Sequence, residues 1–253
     1  TGFAFFKSEN GLDRLEKSKV AEAYCSSPFD YKKQTRLYIA KNIPYPDNES
    51  IQYINAVADE IEQLVKATGG HTAVLFTSYH TLRSVYDILA TKNLPYPLIQ
   101  MTRTNQNDID EFKRSGNGVL FASGTMWEGV NCVGDILSSV IIVKLPFPLR
   151  TELLEQKKKE CDSVPEFVQR YAVPQMVIKL RQGAGRLIRS ETDTGVIAIL
   201  DSRAAKGNRH RNRVLKALNK YPLVNTIEEI EAFIRSVKPD EYWQSDHNTT
   251  EGE

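Results

Sequence analysis

The sequence predicts an α/β fold built on a doubly wound, mostly parallel sheet with helices on both faces. Two observations carry that expectation. Four short runs, Ala73–Phe76, Val119–Ala122, Val140–Val143 and Val196–Leu200, are nearly continuous in apolar residues rather than alternating. Strands buried on both faces of a parallel sheet read in this way. Between the runs, apolar residues recur at helical spacing, and strands alternating with helices imply crossover connections.

Taken in order, Asp47–Ser50 reads as a turn and a helix start. Ile51, Ile54, Val57, Ile61, Leu64 and Val65 then recur at spacings of three and four, as do Leu82, Val85, Tyr86 and Leu89 after the first apolar run. Met176, Val177, Leu180, Ala184, Leu187 and Ile188 give a further apolar stripe. At helical rotation, Lys179, Gln182, Arg186 and Arg189 fall within an arc of roughly 80° on the opposite side. Gly183 and Gly185 interrupt this pattern, each at about 1 kcal/mol relative to Ala. They imply either a close approach by something else or a helix that ends there. Residues 1–238 read as one domain. Residues 239–253, polar and aperiodic, read as a disordered tail.

The 33 basic and 32 acidic residues nearly cancel, so a charged site must be local. Cys25, Cys132 and Cys161 lack metal spacing and suit a reducing cytoplasm; no metal held by this chain is expected. No apolar stretch approaches about eighteen residues, so no membrane partner is expected. The absence of an initiator Met suggests a fragment of a longer chain.

Ligands of open parallel sheets bind beyond the carboxyl ends of the strands. Those ends lead into Thr77-Ser78-Tyr79-His80, into the segment from Ser123 to Asn131, into Lys144-Leu145-Pro146-Phe147 and into Asp201-Ser202-Arg203. Hydroxyls, glycines and charges gather there, although turns use the same residue types. From Ser202 to Lys220 there is no acidic residue, while Arg203, Lys206, Arg209, Arg211, Arg213, Lys216 and Lys220 are basic. This run reads as a phosphate track or as a solvated loop and helix face.

The run Gln182-Gly183-Ala184-Gly185-Arg186-Leu187-Ile188-Arg189-Ser190 resembles the sixth motif of superfamily 2 helicases, in the form used by the DinG and XPD-like branch. Gly124-Thr125-Met126-Trp127-Glu128-Gly129-Val130-Asn131 resembles its fifth motif, and Val74-Leu75-Phe76-Thr77-Ser78-Tyr79 its fourth. Ser27-Pro28-Phe29-Asp30-Tyr31 and Lys144-Leu145-Pro146-Phe147 are similar to segments of bacterial DinG-type proteins. The segments occur in the family's order, from near the first residue to about residue 218.

The resemblance implies a RecA-like second motor domain of an ATP-dependent DNA helicase that moves 5′ to 3′ on single-stranded DNA. ATP and Mg²⁺ would be shared with a first motor domain of the same polypeptide, because GxxxxGK[ST] occurs nowhere in this sequence. The resemblance makes Arg189 the arginine finger, places Arg186 at the γ-phosphate, and has Gln182 position the nucleotide or the attacking water. Gly185, Glu128, Gly129 and Asn131 lie toward the nucleotide; the family usually has Asp where Asn131 stands, so an acceptor is kept and a charge lost. Thr77, Ser78, Tyr79, Gly124 and Thr125 meet single-stranded DNA, with Tyr79 stacking on a base or else buried. Trp127 is a wedge or a core residue. Arg209, Arg211 and Arg213 are candidate phosphate contacts. Two other readings stay open: a non-catalytic nucleic-acid-binding module, and the helicase-like part of a nuclease-helicase.

Overall fold

Apolar runs too short for helices and too continuous for an exposed sheet assemble here into one buried parallel sheet. The computed structural model describes residues 3–25, 27–101, 106–124, 132 and 134–243. In chain order the helices and strands are α1 (Ala4–Glu9), α2 (Tyr31–Gln34), β1 (Thr35–Ile39), α3 (Ile51–Ala67), β2 (Thr72–Phe76) and α4 (Tyr79–Ala90). Then follow β3 (Leu98–Gln100), α5 (Gln106–Arg114), β4 (Val119–Ser123), β5 (Ser139–Ile142), α6 (Glu152–Lys159) and α7 (Val164–Phe167). The last are α8 (Val173–Ala184), β6 (Gly195–Ile199), α9 (Arg211–Ala217), β7 (Leu223–Val224) and α10 (Ile227–Val237).

The described chain divides into two compact units. The smaller comprises residues 1–28 and 150–174 and contains α1, α6 and α7. Within it Lys157 pairs with Glu9 and lies over the Tyr171 ring.

The larger unit, residues 29–149 and 175–253, holds the sheet. Among the described residues its seven strands run in the order β3-β4-β2-β5-β6-β1-β7, every pair parallel. The four apolar runs of the sequence become β2, β4, β5 and β6, which are neighbours in the middle of the sheet. Alternate residues Val74, Phe76, Val119, Phe121, Ile141, Val196 and Ala198 pack into one core with α3, α4 and α10. The intervening residues, among them Leu75, Leu120, Val140 and Ile197, are equally buried, so both faces of the sheet are covered. Helix α3 starts where Asp47–Ser50 placed it, with Ser50 Oγ accepting from Tyr53 N at 3.3 Å.

Three strands left no comparable trace in the sequence. β3 and β7 have only three and two residues. In β1 the apolar run is broken by Arg36, whose guanidinium lies 4.1 Å from the centroid of the Phe233 ring. The ordered fold also runs past residue 238. Asp240–Trp243 form a 3₁₀ turn in which the buried Tyr242 stacks on His71 with centroids 3.9 Å apart and donates to Thr68 O at 2.7 Å. The remaining residues assigned to the tail lie outside those described.

Candidate functional site

Because all strands run the same way, residues that follow strands share one edge of the sheet and residues that precede strands share the other. The candidate residues divide between these two edges.

At the carboxyl edge, β2 passes into the half-buried Thr77 and Ser78 and then into α4. Ser78 caps this helix, its hydroxyl accepting from Thr81 N at 3.4 Å, which leaves the hydroxyl proton free to donate. Tyr79 is 54% exposed, so it is a surface aromatic and not a core one. Gly124 closes β4 with φ of +70°, a conformation that favours glycine, and a Cβ there would stand 3.6 Å from the Tyr79 hydroxyl. Tyr79 and Gly124 are therefore brought together, as β2–β4 pairing requires. Thr125, Trp127, Glu128, Gly129 and Asn131 lie outside the described residues.

Farther along this edge, two residues past the end of β6, lies Asp201, which is fully buried. Its carboxylate accepts from Leu145 N at 2.7 Å and from Arg203 Nε and Nη2 at 2.9 and 2.6 Å. The basic run then turns back over the edge. Arg209 is exposed, whereas Arg211 and Arg213 are half-buried and donate to Ala204 O at 3.4 Å and Arg209 O at 3.0 Å. The run is thus partly committed to its own backbone. His210 is buried within it, against the Phe147 ring at 5.1 Å. Burial and the neighbouring charges of Arg209, Arg203 and Arg213 push its imidazole down to about 4.

The arginine segment lies at the opposite, amino edge. Helix α8 ends at Ala184, so Arg186 and Arg189 are not on the helical arc that the sequence suggests; of that set, Lys179 and Gln182 are. The reason is local. Gly185 leaves the helix, Arg186 N and Leu187 N turn back to Gly183 O and Ala184 O, and the chain enters a loop that leads into β6. Of the two explanations for the paired glycines, the helix end holds for Gly185; Gly183 is buried inside the last turn.

Two residues outside every quoted motif shape this loop. The buried Asp193 carboxylate accepts from Arg189 N at 2.8 Å, Ser190 N at 2.9 Å and Gly134 N at 3.2 Å. Burial pushes the Asp193 carboxyl up, but these amides outweigh it and hold the group below its usual range. Gln34 Nε2 donates to the carbonyls of Ser190, Glu191 and Asp193 at 3.1, 3.1 and 2.9 Å. Arg186 and Arg189 do come together: Arg189 Nε donates to Arg186 O at 3.3 Å. Burial and then the Arg186 charge pull the Arg189 guanidinium below its ordinary value. Arg189 and Lys113 also act electrostatically on the buried Cys132 thiol, whose pKa burial raises. The segment resembling the fifth motif therefore begins, at Gly124, on the carboxyl edge and is followed by a residue near the arginines.

The Arg189 guanidinium, within the electrostatic influence of Arg186, suits a polyanion, since a phosphate offsets the repulsion between the two charges and matches planar guanidinium donors. Among the described residues there is no group of three or more His, Cys, Asp or Glu placed to hold a metal ion. No helix among them is long and apolar enough to cross a membrane.

Comparison with known proteins gives the family. Residues 61–221 match the family model described as the helicase C-terminal domain. The chain is similar to the ATP-dependent DNA helicase YoaA of Haemophilus influenzae, 30% identical over 88% of this chain and 35% of the relative. It is 34% identical to YoaA of Escherichia coli over 78% of this chain and 30% of the relative. It thus spans about a third of the length of these relatives. Among solved structures, one titled XPD helicase superposes with a TM-score of 0.58 at 20% identity, covering 76% of this chain and 35% of that one.

Proposed function

Because the chain belongs to the helicase C-terminal domain family, of the DinG and XPD-like kind, we propose that it is the second motor domain of an ATP-dependent DNA helicase moving 5′ to 3′ on single-stranded DNA. The observation that carries this reading is the Arg186–Arg189 pair on a loop pinned by Asp193 and Gln34. A pinned, preorganised cation stabilises charge that develops during phosphoryl transfer without reorganising at the moment of reaction. ATP supplies the phosphoryl group whose transfer to water drives movement. Arg189 acts as the arginine finger and offsets charge on the γ-phosphate, Arg186 binds that phosphate, and Gln182, exposed in the last turn of α8, orients the nucleotide or the attacking water. Gly185 lets the backbone turn toward the nucleotide, with Glu128, Gly129 and Asn131 as further contacts. A first motor domain of the same polypeptide supplies the phosphate loop and the Mg²⁺ ligands.

At the other edge, Thr77, Ser78, Gly124 and Thr125 bind the backbone of single-stranded DNA, and the exposed Tyr79 ring stacks on a base. Arg209, Arg211 and Arg213 extend the track. A binding module without turnover would have no use for an arginine loop pinned so firmly away from the nucleic-acid edge.

In the full-length protein, Arg189→Ala is expected to lower kcat for ATP hydrolysis by about 10³ while leaving single-stranded DNA binding nearly intact. Steady-state ATPase assays with saturating oligothymidine, paired with binding titrations, check this. Hydrolysis within a few-fold of wild type would remove Arg189 from the finger role.

A further inference from the structure

Between the two patches of the carboxyl edge lies a cluster formed by Lys144, the first residue of the Lys144-Leu145-Pro146-Phe147 segment, and Asn48 from a loop outside every quoted motif. Lys144 follows β5, and the strand order sets β5 between β2, whose end carries Thr77 to Tyr79, and β6, whose end carries Asp201 and the basic run. The half-buried Lys144 ammonium donates to Asn48 Oδ1 at 3.4 Å, and the same oxygen accepts from Thr81 Oγ1 at 3.0 Å. An ammonium has only donors, so the Asn48 amide oxygen must face it. The Asn48 amino group is left with two N–H donors and no hydrogen-bond partner among the described residues.

The neighbouring carboxylates do little to neutralise Lys144. Asp201 already accepts from Arg203 Nε and Nη2, Arg203 N and Leu145 N. Asp47 is exposed to solvent, and its Oδ1 accepts from Glu49 N at 3.0 Å. Burial and then the Arg203 charge pull the Lys144 ammonium below the ordinary lysine range, with Asp201 and Asp47 offsetting only part of this. On the same loop as Asn48, the Tyr45 ring is 65% exposed. The local surplus is therefore in donors and positive charge.

We infer that Lys144 and Asn48 form a phosphate-binding site that joins the residues at the end of β2 to the basic run after β6, and that its ligand is a backbone phosphodiester of single-stranded nucleic acid. This rests on reading the carboxyl edge as the nucleic-acid track. A nucleotide offers the same phosphate chemistry, but distance argues against it. The candidate arginines sit at the amino edge, and β2 is five residues long, which at about 3.3 Å per residue separates the edges by roughly 16 Å. A triphosphate held by Arg186 and Arg189 does not reach Lys144.

The test uses the full-length protein with Lys144→Gln, Lys144→Arg and Asn48→Ala, fluorescence anisotropy on an oligothymidine strand at several salt concentrations, and binding of a fluorescent ATP analogue. Lys144→Gln is expected to weaken DNA binding and to reduce the slope of log affinity against log salt by about 0.7, the value for one lost phosphate contact. Lys144→Arg should keep the slope, Asn48→Ala should weaken binding with less change in slope, and nucleotide affinity should stay as in wild type. Thermal melting confirms that each variant is folded. If Lys144→Gln leaves DNA affinity and slope unchanged while wild type binds with a normal salt slope, the site is refuted and the wider track survives. If the variant lowers nucleotide affinity instead, the phosphate is the nucleotide's and the inference is overturned. If wild type itself shows no salt-dependent DNA binding, the track reading fails, and this site with it.

Discussion

Burial takes the imidazole of His210 well away from its free state. Buried against Phe147 and flanked by Arg209, Arg203 and Arg213, it is neutral in the folded protein down to about pH 4. In the unfolded chain it takes up a proton near pH 6.5. Its folded pKa is depressed, so its contribution to stability is fully present above about pH 6.5, is lost as pH falls toward 4, and levels off below that, where both states carry the proton. The total is on the order of 3 kcal/mol. Replacing His210 with Gln is expected to flatten this decline, measured by urea unfolding at pH 7, 5.5 and 4.5. An unchanged decline would assign the acid sensitivity elsewhere. Asp193 does not confuse the test. Its pKa is also depressed, so its contribution is present above the ordinary carboxylate value of about 4 and is lost only below it.

At the scale of elements, the arginine loop is defined by what holds it. Asp193 satisfies three backbone N–H groups from two segments, the two N–H groups of Gln34 are shared among three carbonyls, and Gly195 lets β6 press against its neighbours. A Cβ at Gly195 would stand 2.3 Å from Ser138 O and 2.7 Å from Leu187 Cδ1. The loop is therefore part of the sheet's packing. Asp193→Asn keeps the shape but turns an amino group toward backbone N–H donors, leaving at least one of them unpaired at about 1–3 kcal/mol. The expected result in the full-length protein is a lower kcat for ATP hydrolysis and a lower melting temperature, with DNA affinity at the far edge nearly unchanged. Equal losses at both edges would mean that the mutation acts through general unfolding rather than through the loop.

For the whole molecule, one sheet carries two candidate sites on opposite edges, with Gly124 at the carboxyl edge and Cys132 near the arginines. On the proposed reading the arginines at the amino edge meet a first motor domain that carries the phosphate loop, since GxxxxGK[ST] does not occur in this sequence. The 253-residue chain alone is expected to show no ATPase activity above background, even with single-stranded DNA. Phosphate release from a preparation free of contaminating ATPase measures this, and DNA-stimulated turnover would contradict the half-site reading. Much of this was legible beforehand. β2, β4, β5 and β6 are unbroken in apolar residues because both of their faces are buried, and α3 and α4 repeat at helical spacing because one face of each meets the sheet. The Ser50 cap and the family motifs are likewise local, and local patterns are what a sequence displays. The conformation of Arg186 and Arg189 was not legible, because periodicity continues the helix while Gly185 and the hydrogen bonds to Asp193 end it. Gln34 lies 159 residues from the Asp193 carbonyl it holds, and Lys144 lies 96 residues from Asn48. The sequence by itself determined which strands fill the middle of the sheet and which family the chain resembles. Only the tertiary structure decided which residues hold each charge in place, because contacts closed over such separations leave no periodic trace in the chain.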